Sequence, residues 1–311
     1  MTRDTAIAIG LGAISAGFLL TTLTGSMGAL IFTYLTPLPL FVAGLAFGLP
    51  KALIASVAGL AGASYLGLPT ALTYGLAVAA PAVLLTRQAL LQRVAGDQGA
   101  VEWYPPGLLL AWLAGIAGAG FVTLALLYSG GPNGLPGLFE PSLTQMFQAL
   151  GIAEAKQAAA MAAIWAPLIP TMLAVAWMLL IAVNGILAQG LAVQLHRNLR
   201  PSPDIAAIEL PQALLFALAI AVAAHFVAGL VGFVGEGLAM ILAVPFVFQG
   251  LAVVHVLARR SALKWPLLVG FYLMLMIFGG LLLLVAVLGL IEQWAHLRRR
   301  FAGMSHGEED A

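Results

Sequence analysis

Two ionisable residues lie close together in an otherwise apolar part of the chain, and they are its best candidates for chemistry. His225 falls in the apolar run 212–233, and Glu236 follows at the predicted turn of the same helical hairpin. Ionisable groups inside a bilayer are costly and point to function by default. A His–Glu pair can bind a cation, relay a proton or hold a polar substrate. The alternative is a histidine bonded to a neighbouring helix carbonyl and a glutamate at the water interface.

A second group of side chains combines hydroxyls with aromatic rings, and we expect it near the outer membrane surface. Its members are Thr21, Thr22, Thr24, Tyr65, Tyr74 and Trp165. Rings and hydroxyls at that depth can hold a flat ligand by stacking and directional hydrogen bonds. They also fit the ordinary interfacial belt of Trp and Tyr, which needs no ligand. Together with His225 and Glu236 they form the predicted substrate-binding set.

The chain lacks the short motifs that accompany common enzyme chemistry. It contains no His-Glu-x-x-His, no glycine-rich phosphate loop with its lysine and no Gly-x-Ser-x-Gly. It has no cysteine, which excludes disulfides, thiolate metal ligands and cysteine nucleophiles. The formal net charge is +1 and the basic residues are dispersed, so nucleic acid is not an expected partner. We therefore expect neither an enzyme, nor a metal site, nor a cofactor.

The composition places these residues in a membrane protein. The 311 residues are 62% hydrophobic and 8% charged, with a mean hydropathy of +1.05, whereas a soluble domain is about one quarter charged. Apolar runs long enough to enter a bilayer recur along the chain. We predict an all-α integral membrane protein, a polytopic helical bundle of about nine or ten membrane segments. Residues 1–300 would form one membrane domain with an outer loop at 129–160, and residues 301–311 a short polar cytoplasmic tail.

Two prolines interrupt one of the apolar runs and mark a structural break. Pro37 and Pro39 donate no backbone hydrogen bond, so a regular helix would leave the carbonyls of Thr33 and Leu35 without partners. An unsatisfied carbonyl in hydrocarbon costs several kcal/mol, so broken backbone is tolerated where protein or a water-filled cavity surrounds it. We expect the break to be buried. It would line a site or simply kink a helix whose freed carbonyls neighbours satisfy.

The basic residues predict how the chain crosses the membrane. The last apolar run, 265–291, is either one long span or two short helices folded at Gly279 and Gly280. If it is split, alternating spans place all Lys and Arg residues except Lys156 on the cytoplasmic side, which is 12 of 13 (13 minus 1). A single span would instead place the arginine triplet 298–300 outside. We favour the split run with both termini cytoplasmic, and nine spans with an external tail is the alternative.

Three short stretches carry a resemblance to a known family. They are Thr-Pro-Leu-Pro-Leu-Phe at 36–41, Gly-Leu-Ala-Phe-Gly at 44–48, and Leu-Gly-Leu-Ile-Glu-Gln-Trp at 288–294 before the arginine triplet. They resemble the YybS-like family of uncharacterised bacterial multi-pass membrane proteins. That family is in turn similar to the substrate-binding subunits of energy-coupling-factor vitamin transporters, which have about six spans, fewer than we predict for this chain.

The resemblance implies a function, a location and partners. The protein would lie in the bacterial inner membrane, capture a small vitamin-like molecule near the outer face, and depend on coupling and ATPase subunits. Such subunits dock through small residues on their first helix, and a stripe of this kind occurs here at Ala6, Gly10, Ala13 and Gly17. Ordinary helix packing also explains that stripe. The competing hypothesis is a membrane scaffold that organises a cell-envelope complex without transporting anything.

Overall fold

Helices form almost all of the regular structure of the protein, which confirms the predicted all-α class. The computed structural model describes residues 2–95, 100–152, 154–204, 208–259, 261, 263–298 and 300. The chain divides into two compact units, the first made of Met1–Leu113 and Met178–Asp204, the second of Ala114–Trp177 and Ile205–Ala311. The single membrane domain predicted for residues 1–300 stays a prediction, and the predicted tail, 301–311, lies outside the described residues.

The first half of the chain contains helices and one short β-hairpin. In chain order the elements are α1 Arg3–Leu20, α2 Met27–Tyr34, α3 Leu38–Phe47, α4 Leu49–Ala63, α5 Leu68–Tyr74, α6 Ala80–Ala89, β1 Gln92–Ala95, β2 Ala100–Trp103 and α7 Pro106–Leu127. A π-helical turn, Gly75–Ala79, joins α5 to α6. Strands β1 and β2 pair in antiparallel fashion. The cross-strand pairs Val94–Val101 and Arg93–Glu102 explain the hairpin.

The second half of the chain is helical throughout its described elements. They are α8 Glu140–Ala149, α9 Ala155–Trp165, α10 Ile169–Gln194, α11 Gln212–His225, α12 Leu230–Ala258, α13 Lys264–Ile277 and α14 Leu281–Ala295. The predicted outer loop 129–160 holds turns, α8 and the beginning of α9. A 3₁₀ turn, Ala166–Leu168, leads from α9 into α10, so that Ala155–Gln194 forms one long helical segment.

The apolar helices are numerous enough for the predicted polytopic bundle. Within the described ranges, seven helical segments are long and apolar enough to cross a membrane. Three shorter apolar helices, α11, α13 and α14, bring the number of apolar segments to ten (7 plus 3). The protein is therefore a multi-pass helical membrane protein.

Small residues let α1 and α4 approach closely in the first unit. A Cβ atom on Gly12 would collide with the carbonyl oxygen of Ala55 and lie 2.8 Å from the Cβ of Ala58. A Cβ on Gly62 would lie 2.5 Å from the Cβ of Ala16. Near the beginning of both helices, Lys51 Nζ donates to Thr5 Oγ1 at 2.7 Å. The two helices are thus parallel and in contact along their length, as small-residue packing in membranes allows.

The hairpin of α11 and α12 turns earlier than predicted. We expected the turn at Gly235 and Glu236, but α11 ends at His225 and α12 begins at Leu230. Gly229 takes the left-handed conformation there, with φ +75°. Gly235 instead lies within α12, where a Cβ would come within 2.6 Å of the backbone of Ala224. This glycine permits close helix contact, and the prediction mistook it for a turn residue.

The last apolar run is divided into two helices, close to the predicted position. Helix α13 ends at Ile277 and α14 begins at Leu281, so Gly279 and Gly280 lie in the break. The helices have 14 and 15 residues, which corresponds to about 21 and 22 Å at about 1.5 Å per residue. Each is shorter than the hydrocarbon core, which is about 30 Å thick. The side of the membrane on which the chain ends stays a prediction.

Candidate functional site

The structure places His225 beside Glu236 at the top of the α11–α12 hairpin. The last residue of α11 is His225, and Glu236 lies in the second turn of α12. His225 Nδ1 is 3.7 Å from Glu236 Oε2, and the side chains are 48% and 44% exposed. The ring of Phe226 meets the imidazole edge at a centroid distance of 5.4 Å. The pair is therefore accessible, with an apolar ring on one side.

The accessibility of this pair decides what it can do. A half-exposed ion pair contributes little to stability, typically about 0–1 kcal/mol. The imidazole nitrogens can donate or accept hydrogen bonds, and the carboxylate accepts hydrogen bonds or holds a cation. Together the two groups would hold a small polar molecule that carries N–H or O–H donors of its own. The two side chains lie close together, as predicted. Their role in binding stays a prediction.

The hydroxyls of the predicted threonines donate to backbone carbonyls three residues before them, and that of Thr21 also lies 3.3 Å from the carbonyl of Ala29. Thr21 Oγ1 donates to the carbonyl of Phe18 at 2.6 Å, and Thr22 Oγ1 donates to that of Leu19 at 2.8 Å. Thr24 repeats the pattern with the carbonyl of Thr21 at 2.8 Å. These hydroxyl protons are engaged, but each oxygen can still accept a hydrogen bond.

The predicted aromatic residues occupy three different surroundings. Tyr65 is 84% exposed, at the end of α4, and Trp165 is half exposed at the end of α9. Tyr74 is only 2% exposed. Its hydroxyl lies 2.8 Å from Ser15 Oγ, and its ring occupies the space that the missing side chain of Gly59 leaves free. Tyr74 therefore belongs to the interior of the first unit rather than to an outer surface.

The break at Pro37 and Pro39 is buried, as predicted, but different carbonyls need partners there. The chain turns through 35–37 between α2 and α3, and the amides of Thr36 and Leu38 donate to the carbonyls of Thr33 and Leu35 at 3.2 and 3.0 Å. A regular helix would leave those two carbonyls unpaired, but the chain breaks here and both have partners. Short turns supply these donors, although Pro37 and Pro39 have no backbone N–H to donate.

Side chains from other helices satisfy the carbonyls that the break does release. Asn184 Nδ2, from α10, donates to the carbonyl of Tyr34 at 2.9 Å and to that of Leu180 at 2.8 Å. Ser15 Oγ, from α1, donates to the carbonyl of Thr36 at 2.6 Å. Ser15 also contacts Tyr74, so that a connected polar network surrounds the break. Asn184 Oδ1 is buried and has no partner among the described residues.

Sequence reasoning missed most of this network. Neither Asn184 nor Ser15 belongs to the predicted substrate-binding set. Ser15 could have been recognised from the sequence, because it is the only polar side chain between Thr5 and Thr21. Its partner at residue 36 is distant in sequence, so spacing alone could not identify the contact.

A buried arginine fixes the loops at one end of the first unit. Arg200 is 4% exposed, and its guanidinium donates to the carbonyls of Ala89 and Tyr104 at 2.9 and 3.4 Å. Gln189 Nε2 in turn donates to the carbonyl of Arg200 at 3.0 Å. Burial lowers the pKa of the Arg200 guanidinium from its ordinary value. Arg200 thus connects the end of α6, the residue after β2 and helix α10 by hydrogen bonds.

A buried acidic residue lies near the end of the second unit. Glu292 is buried in α14 and accepts a hydrogen bond from Arg298 Nε at 2.8 Å. Arg298 also donates to the carbonyl of Ile208 at 2.7 Å. Gln293 Nε2 donates to Gln249 Oε1 at 3.1 Å. Sequence reasoning used Glu292 only as part of a motif, and its burial follows from a helix packing that spacing does not reveal.

Helix α1 presents two different faces of small residues. Gly12 and Ala16 contact α4, as described above. The predicted docking stripe lies beside them, with Ala6, Gly10 and Ala13 exposed and Gly17 half-buried. Outside α1 itself, no described atom lies within 4 Å of a Cβ built on Gly10 or Gly17. This stripe is therefore open along the described surface.

Comparison of the chain with protein-family models, curated proteins and solved structures gave no match. The resemblance to the YybS-like family and to energy-coupling-factor subunits therefore stays a prediction. The candidate site rests on its own geometry: an accessible His–Glu pair in the second unit, and a buried polar network at the helix break in the first.

Proposed function

We propose that the protein is the small-molecule-binding subunit of a bacterial inner-membrane transporter. The observation that carries this proposal is the His225–Glu236 pair, whose atoms approach to 3.7 Å while both side chains stay half exposed. A membrane protein keeps ionisable side chains in an apolar hairpin at a cost. Binding a small polar, vitamin-like molecule through the imidazole and the carboxylate offsets that cost. The role proposed for the pair is binding rather than catalysis.

Transport would require an energy source from other subunits. The chain has no ATP-binding motif, so a partner ATPase and a coupling subunit would supply the energy. The open stripe of Ala6, Gly10, Ala13 and Gly17 is the surface we propose for docking the coupling subunit. Small residues let a partner helix approach closely, which favours association in lipid.

The packing of the first unit supports a cytoplasmic orientation for its basic end. Arg197 lies 3.5 Å from Asp4, and Lys51 donates to Thr5. Arg200 reaches the carbonyl of Ala89. These contacts gather loops with basic residues at one end of the unit, and basic loops favour the cytoplasm. We propose that the amino terminus is cytoplasmic on this basis.

A membrane scaffold is the second candidate function, and the helix break favours it. Asn184 and Ser15 satisfy the carbonyls of Tyr34 and Thr36 from within the protein, so the break serves the architecture without any ligand. In a scaffold, the open face of α1 would bind a structural partner. The His–Glu pair would then be dispensable.

Mild purification separates the two functions. The protein would be extracted with a mild detergent after crosslinking in cells, and both small molecules and partner proteins would be identified by mass spectrometry. Transport predicts a retained small molecule together with crosslinked ATPase and coupling subunits. Crosslinked envelope proteins without any retained small molecule would support the scaffold and contradict transport.

A further inference from the structure

An open apolar groove lies between α12 and α13 in the second unit. It has a volume of about 280 Å³, and its lining is Val254, Leu257, Ala258, Leu267, Leu268 and Phe271. All six side chains are hydrocarbon. No residue of α13 is buried among those that the structure describes, so this helix is covered sparsely by protein. Hydrocarbon from the surrounding lipid is the natural filling for such a groove in a bilayer.

A polar contact links the two helices beside the groove. His255 Nε2, from α12, lies 3.4 Å from the hydroxyl of Tyr272 in α13. The other ring nitrogen of His255 lies 2.8 Å from the carbonyl of Leu251. This bridge fixes the spacing of α12 and α13. The groove is therefore a formed feature rather than a gap between two unconnected helices.

The end of the groove carries positive charge. Arg259 follows the lining residue Ala258 directly, and Lys264 lies one helical turn before Leu267 and Leu268. Both basic side chains are exposed. The ring of Trp265, an aromatic residue typical of the membrane interface, lies 5.8 Å from Lys264 Nζ. The sequence contains no Asp or Glu between Glu236 and Glu292, so no acidic residue near in sequence offsets these charges.

We propose that an anionic phospholipid occupies this groove. One acyl chain lies between α12 and α13, and the phosphate contacts Arg259 and Lys264. Apolar lining next to a basic mouth at the membrane surface is the combination that selects lipids with anionic headgroups. The proposal is independent of the His225–Glu236 pair and therefore of the transport function.

Native mass spectrometry of the full chain tests the lipid site directly. Purified protein would be titrated with dioleoyl phosphatidylglycerol and, separately, with dioleoyl phosphatidylcholine. The double variant R259Q/K264Q is expected to bind phosphatidylglycerol about 30-fold more weakly, as the loss of two charges near the surface predicts. Its binding of phosphatidylcholine is expected to stay unchanged.

Matched variants separate headgroup from acyl-chain effects. R93Q/K156Q removes two exposed charges elsewhere and is expected to keep the affinity for phosphatidylglycerol. Leu267→Trp fills the groove and is expected to weaken the binding of both lipids. Unchanged phosphatidylglycerol affinity in R259Q/K264Q, or unchanged lipid binding in Leu267→Trp, would overturn the proposal. Binding of inorganic phosphate as tight as that of phosphatidylglycerol would also overturn it, because the acyl chain would then contribute nothing to the site.

Discussion

At the scale of single residues, Ser15 shows how the protein tolerates a break in the middle of an apolar helix. Its buried hydroxyl joins the carbonyl of Thr36 to the hydroxyl of Tyr74. Hydrogen bonds between membrane helices are worth about 0.6 kcal/mol on average. Leaving a buried acceptor unpaired costs more, about 1–3 kcal/mol.

Ser15→Ala is therefore expected to lower the free energy of unfolding by about 1–2 kcal/mol. The carbonyl of Thr36 would lose its buried donor, and Tyr74 would lose its partner. Thr123→Ala is the control, since that exposed hydroxyl only bonds to the carbonyl of Ala119 in its own helix. Unfolding in detergent would be followed by circular dichroism. Equal stabilities for the two variants would show that the network does not support the break.

Glu292 offers a second test at the residue scale. Replacing it with alanine leaves the partly buried guanidinium of Arg298 without its carboxylate. Removing one partner of a buried pair costs about 3–5 kcal/mol, so Glu292→Ala is expected to reduce strongly the yield of folded protein. Glu102→Gln breaks the exposed pair with Arg93 and is expected to change stability by less than about 1 kcal/mol. Similar yields for both variants would contradict the role of Glu292.

At the scale of helices, α1 has one packed face of small residues and one open face, for which we propose docking. Gly12 contacts α4, while Gly10 has no neighbour outside its helix. Gly12→Leu is expected to prevent folding, seen as loss of the monodisperse peak in size-exclusion chromatography. Gly10→Leu is expected to fold normally and to lose crosslinks to partner subunits. Normal folding of Gly12→Leu would refute the packing of α1 on α4, and retained crosslinks in Gly10→Leu would refute docking at the stripe.

Much of the helical architecture is predictable from sequence, but the turns are less so. The apolar runs predict the membrane helices, and the prolines predict the break between α2 and α3. The pentapeptide Phe-Val-Ala-Gly-Leu, which occurs twice, shows how far local sequence can predict structure. At 41–45 it lies inside α3, whereas at 226–230 its first four residues form the turn between α11 and α12 and the fifth begins α12. The same five residues take both structures, so contacts with other helices decide between them.

The candidate site was predictable only in part, for the same reason. His225 and Glu236 stand out as ionisable residues in an apolar hairpin, and the structure brings them together. Tyr74 and Asn184 depend on helix pairs that are far apart in sequence. Their buried positions follow from which faces of α1, α5 and α10 meet, and periodicity in one sequence does not determine that.

At the scale of the whole molecule, the side on which the chain ends reports the number of membrane crossings. The break at 278–280 divides the final run, and the positive-inside rule then favours a cytoplasmic carboxyl terminus. A green fluorescent protein fused after residue 311 is expected to fluoresce, and alkaline phosphatase fused there is expected to be inactive. The opposite pattern would place the tail outside and support nine spans.

The central claim is that the His225–Glu236 pair binds a small polar molecule. The most direct measurement is the amount of small molecule that copurifies with the wild-type protein and with the double variant H225A/E236Q, determined by mass spectrometry. Glu140→Gln is the matched control, because Glu140 pairs with Asn133 in a different part of the second unit. We predict a molecule retained by the wild type and by Glu140→Gln and lost from the double variant. Equal amounts in all three proteins, or no retained molecule at all, would contradict the claim.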